Sequence, residues 1–406
     1  MNILFLSALV PYPPEDGDRQ RSFHLLQALA AHHQVHLVCF YSSWAEYRQL
    51  EALQAFCASV EGVRISRWAI RRHSLLAWPS ATPLNVAAFC SPAMQKAVAR
   101  AVRKYGIEAV HAYRLRMAPY ALAVKHVKKV LDYTDALTRY FQARTQQPAP
   151  FWKKIYLKRE ARTLAAYEPK VSRQFDAAFI SSPGDQALLQ QLGSGNIQVA
   201  SNGVDARQLR PQRTLPSAKT VLFVGNMQYP PNAEGLRDFC VRSWPRVAAA
   251  VPGATLQVVG LFPVGSESHW GRIYPGAEFV GRVPAVEPYY AQARVVICPL
   301  QVAAGRQFKA IEAFAAGVPV VATSVVAENL GAVSEREVMV GDTPEVFADQ
   351  IVRLLQNTPL ADRLRKNARR LAEKQYDWSE ALSPVLATYA QWEKDGKKIR
   401  KRKVPQ

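Results

Sequence analysis

Short apolar runs and amphipathic stretches alternate along this chain in two successive series. In the first, Asn2 to Leu9 is almost wholly apolar, Arg19 to His32 repeats its apolar positions at helical spacing, and Val35 to Phe40 is apolar again. Val110 to His111, Lys129 to Leu131 and Ala177 to Ser181 read as later strand ends of the same half. The second series opens with Val221 to Gly225, followed by an expected helix over Ala233 to Ala249 and strands at Thr255 to Val259, Glu278 to Val280 and Arg294 to Leu300. Continuous rather than alternating apolar runs mark strands buried on both faces, as in parallel sheets covered by helices. The pattern predicts an α/β protein of two doubly wound halves, with a boundary near Asn202 to Pro211.

In doubly wound sheets ligands lie at the carboxyl ends of strands, so the loops that follow them are where chemistry is sought. Gly305 to Thr323, GRQFKAIEAFAAGVPVVAT, predicts a short helix starting near Gln307, stopped by Gly317 and Pro319, and leading into a strand at Val318 to Ala322. Arg306 and Lys309 stand at its start, where the helix dipole is already positive, and an anion would relieve that conflict. Glu312 lies one turn further on the same face, within reach of a hydroxyl of the same ligand; the competing reading is a solvated Lys-Glu pair. The first loop, Val10 to Asp18, is rich in proline; Gly17 permits close backbone approach and Asp18 suits a helix N-cap. His111 is expected just after a strand, where a structural histidine is the alternative; Asp132 and Asp135 follow the next one, and Asp135 could equally be an N-cap. Gly225 and Asn226 end the first strand of the second half and suit backbone contact with phosphate.

Length and charge narrow the class. The 406 residues exceed what one core usually supports, and 49% hydrophobic with 21% charged residues is a globular composition. The run Met1 to Val10 is too short to span a bilayer and lacks a basic leader, so it reads as a first strand, and no other stretch is long and apolar enough to span. Cys39, Cys57, Cys90, Cys240 and Cys298 are scattered without metal spacing and read as buried free thiols. The formal charge of +20 asks for a partner. No zinc spacing, RNA-binding signature or helix-turn-helix pattern organises the cations for nucleic acid. They lie instead beside apolar residues: Arg64, Arg67, Trp68, Arg71 and Arg72 run into Leu75, Leu76 and Trp78, and Phe151 to Arg162 reads FWKKIYLKREAR. Such mixtures suit the surface of an anionic membrane, against the plainer reading of a solvated basic face. Lys394 to Lys403 is expected to be an unstructured basic tail.

The pattern G-x-x-x-K-x-x-E-A-x-A-x-G-x-P-V-V-A-T resembles the donor-binding segment of family 4 glycosyltransferases, retaining enzymes of the GT-B fold, in which two Rossmann-like domains face a central cleft. The resemblance extends from about Asn2 to Trp392. It implies an N-terminal acceptor domain over 1–203, a nucleotide-sugar domain over 204–375, a crossover helix over 376–393 and a tail over 394–406. It casts Lys309 as the contact to the donor diphosphate and Glu312 as the contact to ribose, with Gly305, Gln307, Gly225 and Asn226 also lining the donor. Arg306 stands in for basic residues missing from the loop after Gly225, Arg282 and Val283 resemble the base-recognition loop, and His111 is a candidate at the reacting sugar. Gly17, Asp18 and Arg21 fall on the acceptor or phosphate side, and Asp135 on the acceptor side. One departure is Ala304, where many members carry a glutamate that contacts the donor sugar. PYPPEDGDRQRSFHLL resembles a subgroup linked to exopolysaccharide and exosortase (PEP-CTERM) gene clusters, which implies a growing, lipid-linked glycan as acceptor and a peripheral position at the cytoplasmic face of the plasma membrane. The resemblance implies neither a metal nor a cofactor. A GT-B sugar-nucleotide epimerase and a non-catalytic scaffold binding glycan or membrane are the alternatives.

Overall fold

The computed structural model describes residues 1–263, 266–274 and 276–402, and the chain divides into two compact units, 1–200 with 382–406, and 201–381. The first unit is built on seven parallel strands: β1 (Asn2–Ser7), β2 (Gln34–Tyr41), β3 (Ser59–Arg64), β4 (Ala109–Tyr113), β5 (Lys128–Asp132), β6 (Ala177–Ile180) and β7 (Ile197–Val199). Their order in the sheet is β3-β2-β1-β4-β5-β6-β7. Leu4, Leu6, Val38, Phe40, Val110, Ala112 and Leu131 join one hydrophobic cluster, while their alternates Ile3, Phe5, Leu37, Ala109 and Val130 are equally buried. Both faces are therefore covered, which is why the central strands are continuous apolar runs. The edge strand β3, SVEGVR, buries only Val63 and shows no such run, so the sequence pattern passes over it.

The second unit has six strands, β8 (Thr220–Val224), β9 (Thr255–Val259), β10 (Ala277–Gly281), β11 (Val295–Cys298), β12 (Val320–Ala322) and β13 (Met339–Val340), in the order β10-β9-β8-β11-β12-β13. The single helix expected over Ala233 to Ala249 is instead Pro230–Asp238, a π-helical turn Phe239–Ser243, and Trp244–Ala250. Pro230 and Pro231 fit the first turn, where the missing N–H is no loss. Pro245 cannot donate back to the turn before it, and the wide turn lies just ahead of it.

Three further differences appear. The helix expected from Arg19 begins at Gly17, and Asp16 rather than Asp18 caps it, accepting from the Arg19 N–H. The closing helix Ser383–Arg402 belongs to the first unit and continues through most of the stretch read as an unstructured tail; residues 403–406 lie outside those described. All five cysteines are free, four buried and Cys90 exposed. No helix among the described residues is long and apolar enough to cross a membrane.

Candidate functional site

From β8 the chain of the second unit winds outward through β9 and β10; from β11 it winds the opposite way through β12 and β13. Neighbouring β8 and β11, paired through Val221↔Val295 and Leu222↔Val296, are thus the topological switch point, where the following loops diverge and leave a crevice for a ligand. The loop after β8 is tightly built. A Cβ on Gly260 would lie 1.8 Å from the Gly225 carbonyl oxygen, so only glycine lets β9 approach there. Asn226 accepts from the Gln228 N–H through Oδ1 (2.8 Å), and its carbonyl accepts from Asn232 Nδ2 (2.9 Å).

Asn232 then joins the two sides of the crevice: its Oδ1 accepts a hydrogen bond from Lys309 Nζ at 2.6 Å. Lys309 is 6% exposed, which removes the solvated-pair reading, and its ammonium sits 5.1 Å from the Phe223 ring centroid. It forms no ion pair among the described residues. Burial lowers its pKa, opposed by Cys298 and Glu312. An ammonium taken out of water and met by only a neutral amide is costly, and an arriving anion relieves that cost. Lys309 is the second residue of the helix Phe308–Ala315, whose N-cap Gln307 makes no side-chain cap, leaving the first turn open to an anion. Gln307 Nε2 donates instead to the Ala304 carbonyl (3.3 Å), and Gly305 supplies the left-handed backbone (φ 65°) that turns the loop into the helix. On the same helix face Glu312 Oε2 accepts from the buried Tyr290 hydroxyl at 2.8 Å, which sets the carboxylate's orientation.

Arg306 is placed differently from the expectation that it faces phosphate. It is buried, its Nε donates to the Asn329 carbonyl (3.0 Å), its guanidinium carbon lies 5.0 Å from the Tyr376 ring centroid, and its own carbonyl accepts from Asn202 Nδ2 (2.9 Å). These contacts anchor the turn that presents Lys309. Exposed Arg282 and half-buried Val283 follow β10, two strands from β8 at the same end of the sheet. Asn232 and Tyr290 were not singled out from sequence. An asparagine after two prolines and a tyrosine in a short helix carry no signal until the fold sets them against Lys309 and Glu312.

The first unit repeats the geometry, with β1 and β4 as its switch point, but Arg21 and Arg114 there are already paired with carboxylates. Arg21, 1% exposed, is not available as a surface ligand: its Nη2 pairs with the buried Asp132 carboxylate at 2.9 Å. Asp18 pairs with Arg114, and its carbonyl accepts from the Tyr113 hydroxyl (2.9 Å). Gly17 is the first residue of the helix that carries both. Arg114, which sequence reasoning missed, follows β4 at φ 72° and ψ 151°, a backbone region almost confined to glycine, and Thr134 after β5 also has positive φ (62°). Asp135 is no N-cap; it accepts from Ser181 Oγ (3.2 Å), and burial together with Asp185 pushes its pKa up to about 7. His111 does not follow a strand. It is the middle residue of β4, fully buried, stacked on Phe5 with centroids 5.0 Å apart, and its Nδ1 is 3.0 Å from the Tyr389 hydroxyl. Burial pushes its pKa down to about 4, so it is a neutral core residue.

Residues 218–357 match the family model described as Glycosyl transferases group 1. No curated protein sequence matches the chain. Among solved structures the chain is similar to sucrose-phosphate synthase from Thermosynechococcus elongatus, with a TM-score of 0.72 and 18% identity over 97% of this chain and 100% of that one. It is also similar to HepE from Anabaena in complex with UDP and glucose, with a TM-score of 0.69 and 15% identity over 96% of this chain and 100% of that one. TarM matches with a TM-score of 0.67 and 10% identity over 95% and 98%. At such identities the likeness is one of fold, and it spans both units. The chain has the GT-B fold, and its second unit carries a glycosyl transferases group 1 segment with Lys309 and Glu312 at the switch point.

Proposed function

We propose that this protein is a retaining glycosyltransferase that moves a sugar from a nucleoside-diphosphate donor to a growing, lipid-linked glycan at the cytoplasmic face of a membrane. The observation that carries the donor half is Lys309, a buried cation with a neutral partner at an uncapped helix start in the switch-point crevice. The family match of residues 218–357 and the UDP bound by HepE favour a uridine nucleotide. In the reaction the bond from the sugar C1 to the phosphate oxygen breaks, and its electron pair leaves on the diphosphate. The acceptor oxygen forms the new bond to C1 on the same face and gives its proton to the departing phosphate. Charge builds on the leaving group as C1 becomes cationic, so a preplaced ammonium and open helix N–H groups lower the barrier. Glu312, oriented by Tyr290, receives the ribose hydroxyls. The exopolysaccharide role rests on the resemblance of the first loop. Incubation with UDP-glucose and other UDP-sugars, with product anomers read by NMR, tests the reading. Release of UDP with retained configuration is expected; inversion, conversion of donor to an epimer without transfer, or failure of every UDP-sugar to bind would overturn it.

A further inference from the structure

The helix Arg67–Leu76 contains no buried residue. Only one side of it, through half-buried Ile70, meets the core of the first unit, while Trp68 (72% exposed), Leu75 (73%) and Leu76 project into solvent. At 100° per residue, Trp68 and Leu75 occupy the middle of the outer face, with Arg67 and Arg71 on one flank and Arg72 and Leu76 on the other. A second such surface lies at the start of the helix Phe151–Ser172, where Phe151 (81%), Trp152 (71%) and Ile155 are exposed among Lys154, Lys158 and Arg162.

The two surfaces are joined by Arg159. Its Nε donates to the Trp78 carbonyl at 3.0 Å, and its Nη2 reaches the carbonyls of Ala77 (3.0 Å), Ser80 (2.8 Å) and Thr82 (3.2 Å), capping the C-terminus of the first helix. The neighbouring buried Glu160 accepts from the N–H groups of Leu84 (2.9 Å) and Asn85 (2.7 Å). The exposed side chains are thus held on a fixed scaffold, with a groove of about 480 Å3 between Trp78 and Ile155 whose rim includes Arg162. The only carboxylate in residues 64–78 and 151–162 is the buried Glu160.

We infer that this joined surface docks the first unit on a bilayer containing acidic lipid, with Trp68, Leu75, Leu76, Phe151 and Trp152 at the acyl boundary and the flanking cations at the headgroups. Aromatic and branched side chains ringed by Arg and Lys, without acidic residues, match that boundary in both apolarity and charge. The inference takes from the proposed function only the lipid-linked acceptor, which it would bring within reach.

The test is sedimentation of the full chain with vesicles of phosphatidylcholine alone and of phosphatidylcholine with phosphatidylglycerol, and release as salt rises. Binding to the acidic vesicles alone, with a blue shift of tryptophan fluorescence, is expected. Combining Arg67→Glu, Arg71→Glu, Lys158→Glu and Arg162→Glu, all exposed, should lower it several-hundred-fold, at roughly five-fold per cation removed. Combining Trp68→Ser, Leu75→Ser and Trp152→Ser should remove the blue shift. Circular dichroism checks folding, and UDP binding measured by thermal shift in both variants should be unchanged. Equal sedimentation with neutral and acidic vesicles, no sedimentation, insensitivity to both sets of changes, or self-association abolished by the serine set would overturn the docking. Loss of UDP binding by the parent protein would instead overturn the donor reading and leave the docking intact.

Discussion

The two switch points have the same topology but differ in what meets the cations nearest the crevice. Beside β1 and β4, Arg21 has Asp132 and Arg114 has Asp18, while Arg116 beyond them has the Asn85 amide. Between β8 and β11, Lys309 has an amide. A buried ion pair is internally complete, and removing one partner strands the other. A buried cation without a counter-ion is incomplete until an anion arrives, so it lowers the stability of the empty protein and favours the loaded one. On the proposed function, that contrast separates charges that hold a fold from one placed to hold a ligand.

Breaking the first kind should cost most. Arg21→Met leaves the Asp132 carboxylate buried without its partner and should destabilise the protein by about 3–5 kcal/mol in chemical denaturation, with UDP affinity unchanged in whatever remains folded. Lys309→Ala should act in the opposite sense: kcat falls about 10²–10³-fold, while the melting temperature of the unliganded protein stays level or rises, because a lone buried charge is gone. A lower melting temperature with normal turnover would erase the distinction. Glu312→Gln, nearly isosteric, should weaken nucleotide binding about ten-fold, as loss of a charged hydrogen bond to ribose does, and leave folding intact; calorimetry with the free nucleotide reads it. His111→Leu should be smallest, near zero on turnover at neutral pH. Its effect lies in acid: the folded pKa of His111 is depressed to about 4 from 6.5, so below pH 6.5 the unfolded chain takes up the proton first and stability falls until about pH 4. That contribution, up to about 3 kcal/mol, should vanish in the variant. Asp135 and Glu168, both raised to about 7, act with the opposite sign as pH rises from about 4 to 7, so the difference between variant and parent is what carries the His111 term.

The parallel strands at the centre of each sheet were legible because burial on both faces demands a continuous apolar run. The edge strands β3 and β13 were not, since SVEGVR has only two apolar side chains, three apart and on opposite faces, and β13 has two residues. Lys309 and Glu312 could be chosen because a cation at a helix start conflicts with the dipole and their spacing puts them on one face. Arg306 satisfied the same criterion, yet its side chain turns to Asn329 and Tyr376; which way a long side chain folds back depends on residues distant in sequence. His111 misled for a related reason: a polar residue read at a strand end looks accessible until the helix carrying Tyr389 is in place. Arg21, on the first helix, is turned inward by the distant Asp132.

The measurement closest to the central claim is calorimetric titration of UDP and of uridine into the parent protein and into Lys309→Met. Wild type should bind UDP at least ten-fold more tightly than uridine, and the variant should lose most of that preference, because the ammonium proposed to meet the diphosphate is gone and only the helix N–H groups remain. A diphosphate preference undiminished in the variant would contradict the role assigned to Lys309.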